Sequence, residues 1–148
     1  MAIVDEIEIL RPAGEVFGYL TEDLSRHVEW EGNVVDLRVE PSGPARAGTL
    51  MHITRRVGPR TQTFVSEITE VSPPHRYAFR GIQGPIRAVG AQEVRPTPDG
   101  QGCIVTTRLD FEGLGLGRIL APLARLAARR QTSTDSRRLK QVLEREAR

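Results

Sequence analysis

Apolar positions along the chain keep a two-residue period over most of its length and switch to a helical period in two places. From Ile3 to Leu10, the residues Ile3, Asp5, Ile7 and Ile9 alternate with Val4, Glu6, Glu8 and Leu10, the pattern of a half-buried strand with Ile7 and Ile9 inward. Pro12 then opens a helix, where a missing N–H costs nothing, and Val16, Phe17 and Leu20 fall on one face. Thr21, followed by Glu22 and Asp23, predicts a second short helix with the threonine as its cap and the acids at the positive end of its dipole. Strand-period runs return at 34–39, 48–57, 61–71, 76–80, 86–95 and 103–112, separated by turns rich in glycine and proline. Short loops between consecutive strands favour antiparallel pairing, because parallel pairs need long crossovers.

The second helical stretch runs from Gly113 to Arg148. Leu116, Ile119, Leu120, Leu123, Leu126 and Ala127 recur at three- and four-residue steps, and Leu139, Val142 and Leu143 resume the stripe after the polar segment 131–136. This pattern predicts a helix whose two apolar ends grip a core while Gln131 to Ser136 form the polar ceiling of a cavity. The order is then one strand, two short helices, six antiparallel strands and one long helix. The expected fold is α+β: a single helix-grip domain over 1–148, in which a curved seven-stranded antiparallel sheet wraps around the C-terminal helix. One helix cannot fill such a sheet everywhere, which predicts an internal cavity.

Composition narrows the function classes. At 148 residues the chain is long enough to bury a core without metals or disulfides, and Cys103 is the only cysteine, which rules out an intrachain disulfide and an all-cysteine zinc site. Acidic residues Asp5 and Glu6 stand where a signal peptide carries basic ones, and no run has the apolar length of a membrane span; a cytoplasmic location without membrane insertion is expected. The net charge of +2 conceals an asymmetry: from Arg118 onward nine basic residues face three acidic ones, against twelve and sixteen before it. The positive helix is either a solvated outer face or a surface for RNA, a ribosome or anionic lipid. The segment Gly113-Leu114-Gly115-Leu116-Gly117 follows a strand and opens a helix, but its third glycine comes one residue early for a dinucleotide fingerprint and no strand follows the helix. It is read as a bend, and neither a cofactor nor a metal is expected.

The run Asp23-Leu24-Ser25-Arg26-His27-Val28-Glu29-Trp30-Glu31-Gly32-Asn33-Val34-Val35 resembles the helix-to-strand segment of the polyketide cyclase/dehydrase-like members of the START-related superfamily. Ala47-Gly48-Thr49, the run 68–76, Gly90 with Gln92, and the run 102–110 follow in that family's order and spacing, so the resemblance spans nearly the whole chain. It implies the helix-grip fold and an internal cavity for a hydrophobic polyketide-, lipid- or aromatic-like molecule.

Strand alternation together with the family register places Trp30 at the cavity mouth. On the cavity wall it places Met51, Ile53 and Arg55; Tyr77 and Phe79; Ile86, Ala88, Gly90, Gln92 and Val94; and Val105, Thr107, Leu109 and Phe111. Leu123, Ala127 and Gln131 are expected to close it from the helix. Members of the family often carry an aromatic where Gln92 stands. Arg55 is placed to meet a ligand acid or carbonyl, unless the register slips by one residue, which turns His52 inward instead as an acid or base. His27 and His75 read as surface residues. Two functions stay open. One is binding of a hydrophobic small molecule, with cyclase or dehydratase chemistry supplied by Arg55, His52 or Gln92. The other is a non-enzymatic interaction with RNA, a ribosome or a protein through the arginine-rich helix. DNA is not expected as a partner, and self-association as a homodimer is left open.

Overall fold

The computed structural model describes residues 2–146. Seven antiparallel strands form one sheet in the order β1-β7-β6-β5-β4-β3-β2, with β1 Ile3–Ile9, β2 Val34–Glu40, β3 Leu50–Val57, β4 Arg60–Ser72, β5 Arg76–Gly81, β6 Ile86–Pro96 and β7 Cys103–Gly113. The six strands after the first pair as successive neighbours, and the first strand closes against the last, so Ile7 lies opposite Val105 and Ile9 opposite Cys103. Between β1 and β2 lie helix α1, Ala13–Thr21, and a 3-10 helix, Leu24–Glu29; helix α2, Gly117–Glu146, ends the described chain. The last two residues of the expected long helix, Ala147 and Arg148, fall outside the described residues. This is the helix-grip arrangement.

Local chemistry departs from expectation at the second short helix. Asp23, not Thr21, is its cap: the Asp23 carboxylate accepts from the Ser25 N–H at 3.0 Å. The Thr21 hydroxyl instead donates back to the Phe17 carbonyl at 2.8 Å, so Thr21 closes α1. Pro12 sits just before α1, with its carbonyl accepting from both Glu15 and Val16.

The core lies at one end of the sheet. Ile9, Val16, Phe17, Leu20 and Leu24 pack there with Met51, Ile53, Ile68, Tyr77, Val94 and Val105, and the C-terminal half of α2 adds Leu139 and Leu143. The other half of α2 reverses the expectation. Leu116, Ile119, Leu123 and Leu126 are 81%, 72%, 63% and 69% exposed, so the apolar stripe at this end faces away from the sheet. Ala121 is buried in its place, with Ala124 and Ala128 half-buried. Two contacts fix this rotation of the helix. Arg125 donates to Asp110 at 2.6 Å and to the Phe111 carbonyl at 3.0 Å, and the Gly32 N–H donates to Asp135 at 3.0 Å. The bend before α2 needs its glycines: Gly115 has φ +57, and a Cβ on Gly117 would run into the Pro85 carbonyl.

Candidate functional site

The face of the sheet turned toward α2 carries one inward residue in two from every strand, and the pairing fixes which they are. Met51, Ile53 and Arg55 oppose Val39, Leu37 and Val34 on β2. Tyr77 and Phe79 oppose Gln92 and Gly90, while Ala88, Gln92 and Val94 oppose Phe111, Thr107 and Val105. The alternation read from the sequence is therefore the alternation of the sheet. His52 lies on the opposite face, where its Nε2 meets Glu40 at 3.3 Å; the one-residue slip that would turn it inward does not occur.

This inner face has two unlike halves. Tyr77, Val94 and Val105 are fully buried in the core, whereas Phe79, Ile86, Ala88, Thr107, Leu109 and Phe111, further along the same strands, remain partly exposed. The reason is α2, which turns alanines toward these strands and sends its leucines outward. Leu123 and Ala127 therefore do not close over the inner face, contrary to expectation: both are exposed on the far side of the helix.

A polar ladder runs across the boundary between the halves. The Tyr77 hydroxyl donates to Gln92 Oε1, and Gln92 Nε2 donates to the Thr107 hydroxyl at 3.0 Å, linking β5, β6 and β7. Burial raises the Tyr77 phenol well above its ordinary value of 10.0, and the nearby Glu31 charge adds to the effect, so this hydroxyl remains a proton donor. Gln92 bonds a neighbour on each side, through its oxygen and through its N–H; where an aromatic would make a wall, the glutamine ties three strands together.

The opposite rim is built from the segment between the 3-10 helix and β2. Arg55 reaches Asn33 Oδ1 at 2.8 Å and Glu31 Oε1 at 3.2 Å, so its charge is compensated within the protein. Glu31 also meets His27 Nδ1 at 3.2 Å, and His27 Nε2 meets the Leu20 carbonyl at 2.8 Å. A carbonyl oxygen only accepts, so Nε2 is the nitrogen that donates there. Burial alone would raise the Glu31 pKa, but the His27 hydrogen bond and the Arg55 charge outweigh it and hold the carboxyl below its ordinary value. His27 is buried, where a surface position was expected. Its spacing could have shown this: Glu31 lies four residues on and Trp30 three, the neighbours of one helical face.

From α2, Gln131 and Asp135 complete the rim. Gln131 Nε2 donates to Asp135 Oδ1 at 2.7 Å, and the same oxygen accepts from the Gly32 N–H. A Cβ on Gly32 would lie 3.2 Å from Gln131 Nε2, so glycine lets the helix approach. Thr132, Asp135 and Ser136 are buried on the side of α2 that meets the protein. Burial raises the Asp135 pKa, with the Glu31 charge adding to it against the pull of its two hydrogen bonds. Beside this rim Trp30 is 6% exposed, 5.0 Å from the His27 ring, and its Nε1–H is buried with no acceptor among the described residues. Among the described residues no group of three or more His, Cys, Asp or Glu side chains is placed to hold a metal ion. No helix among them is long and apolar enough to cross a membrane. Burial pushes the Cys103 thiol up to about 11.

A family model described as polyketide cyclase/dehydrase and lipid transport matches residues 2–144. No curated protein sequence matches the chain. Among solved structures, the Zhui aromatase/cyclase from Streptomyces sp. R1128 superposes with a TM-score of 0.83 at 14% identity, over 100% of this chain and 96% of that one. A START superfamily protein from Mycobacterium smegmatis gives 0.76 at 11% identity, over 97% of each chain. Norcoclaurine synthase from Thalictrum flavum, solved with dopamine and hydroxybenzaldehyde, gives 0.70 at 18% identity, over 97% of this chain and 87% of that one. At these identities the likeness is one of fold.

Proposed function

The chain belongs to the polyketide cyclase/dehydrase and lipid transport family, and we propose that it binds a hydrophobic, ring-containing small molecule on the open half of its inner face. The observation that carries this reading is the contrast between the two halves. Phe79, Ile86, Leu109 and Phe111 remain partly exposed on the same strands whose other ends are fully packed, because this half of α2 turns alanines and Arg125 inward and its leucines outward. An apolar wall with a few fixed polar groups is the composition of a small-molecule site. Here the polar groups are the Tyr77–Gln92–Thr107 ladder along one border and the Trp30 indole N–H, which has no acceptor among the described residues. A carbonyl or hydroxyl oxygen of the ligand suits both donors.

Orientation of a carbonyl is better supported than acid–base catalysis. Arg55, Glu31 and His27 are consumed by one another, and His52 faces away, so the ionisable groups near the site are spent on structure. The Tyr77 proton is committed to Gln92, so the Thr107 hydroxyl, which accepts from Gln92 and is only half-buried, is the ladder group whose own O–H would turn to a ligand carbonyl.

Native mass spectrometry of the protein as purified tests the reading: a retained apolar adduct is expected, reduced by Trp30→Ala and by Gln92→Ala. A protein that carries no adduct and takes up none from a panel of hydroxylated aromatics would refute it.

A further inference from the structure

The outward stripe of α2 plays no part in the inner face. Leu116, Ile119, Leu120, Leu123 and Leu126 are 81%, 72%, 46%, 63% and 69% exposed, an apolar row of about 15 Å along the helix. The rotation of the helix is fixed independently, through Arg125 on Asp110 and Asp135 on Gly32, so the row points outward because the buried side is occupied. The charge around it has one sign. Arg118, Arg129 and Arg130 are exposed, and among the described residues no carboxylate pairs with them. The first acid of the helix is Asp135, which is buried under it.

We propose that this half of α2 docks on an anionic lipid surface, lying in the plane of the headgroups with its leucines in the acyl boundary. Leucine on one face, arginine around it and no exposed acid between Gly117 and Thr134 is the composition of an interfacial helix. Apposed copies of the chain would bring like charges together, and a row about 15 Å long and one helix wide falls well short of the ~800 Å² that each partner contributes to a stable interface. RNA would use the arginines and leave the leucines unexplained. Docking this half of the helix places the open half of the inner face, which α2 borders, at the membrane surface.

Vesicle co-sedimentation tests the proposal directly, with pure phosphatidylcholine compared against equal parts phosphatidylglycerol and phosphatidylcholine. The protein is expected to sediment with the anionic vesicles and at least about tenfold more weakly with the neutral ones. Arg129→Glu with Arg130→Glu is expected to weaken binding by about fivefold or more per position. Leu123→Asp with Leu126→Asp is expected to remove binding to both. Since all four side chains are exposed, the variants keep the wild-type far-UV circular dichroism and thermal midpoint. The proposal is overturned if the wild type does not sediment with anionic vesicles or if the leucine variant sediments equally well. It is also overturned if lipid-free ultracentrifugation shows a dimer that the leucine substitutions dissociate, or if RNA is bound equally by wild type and leucine variant while vesicles are not.

Discussion

Leu139→Ala separates the half of α2 that grips the sheet from the half that does not. Leu139 is 1% exposed in the core cluster, and truncation to alanine removes three carbons, about 2.4 kcal/mol of transfer free energy at ~0.8 kcal/mol per carbon. The cavity left behind adds about 1 kcal/mol more, because the core cluster is built from separate elements, Leu20 on α1 and Val105 on β7 among them, and cannot simply follow the missing side chain. Urea denaturation should therefore show a loss of about 3–4 kcal/mol with an unchanged m-value, and the thermal midpoint should fall by about 10 °C for a chain of this length. The matched control is Leu123→Ala, which removes the same atoms from an exposed position and should cost less than about 0.5 kcal/mol. Equal losses at the two positions would mean that the N-terminal half of α2 is packed after all, and the orientation of the helix, with everything drawn from it, would be wrong.

Three further outcomes follow from the buried polar groups. Glu31→Gln should destabilise the protein by about 3 kcal/mol at neutral pH, because it leaves Arg55 and His27 without their common anion; as the Glu31 pKa is lowered on folding, the difference should shrink as pH falls from 4.5 through the folded value, followed by urea melts across that range. Asp135→Asn should do the reverse: the raised folded pKa means that wild-type stability is lost as pH rises from 3.8, so the variant, which keeps an acceptor for Gly32, should gain on the wild type across the carboxylate range. In alkaline titration followed by tyrosinate absorbance, one of the two tyrosines should titrate only with unfolding, and Tyr77→Phe should remove that late phase.

Much of the fold was legible because the strands obey a two-residue period that one buried face enforces. Met51, Ile53 and Arg55 could be placed on the side of Tyr77 and Gln92 from alternation and resemblance alone, and the pairing agrees. The long helix was legible in extent but not in rotation. An apolar stripe predicts a buried face only when the helix has a partner over its whole length, and between Leu116 and Leu126 the partner is met by Ala121 and Ala128 instead. The polar residues at 131–136 marked a real change along the helix: Thr132, Asp135 and Ser136 are buried there, and Asp135 accepts from the Gly32 N–H. His27 was missed because a histidine beside a helix end gives no periodic signal; only its spacing to Trp30 and Glu31 marks it as inward. The partners of Arg55 were out of reach for a different reason: Asn33 and Glu31 approach it through a turn that no periodicity describes.

The central claim is that the inner face between the Tyr77–Gln92–Thr107 ladder and the alanine side of α2 is a binding surface and not an unfinished core. A crystal structure of the protein grown with a hydroxynaphthalene tests it most directly. The account predicts ring density against Phe79, Leu109 and Phe111 with an oxygen near the Tyr77 ladder or the Trp30 N–H. Side chains closed over that space with no density, or density only along the outward leucines of α2, would contradict it.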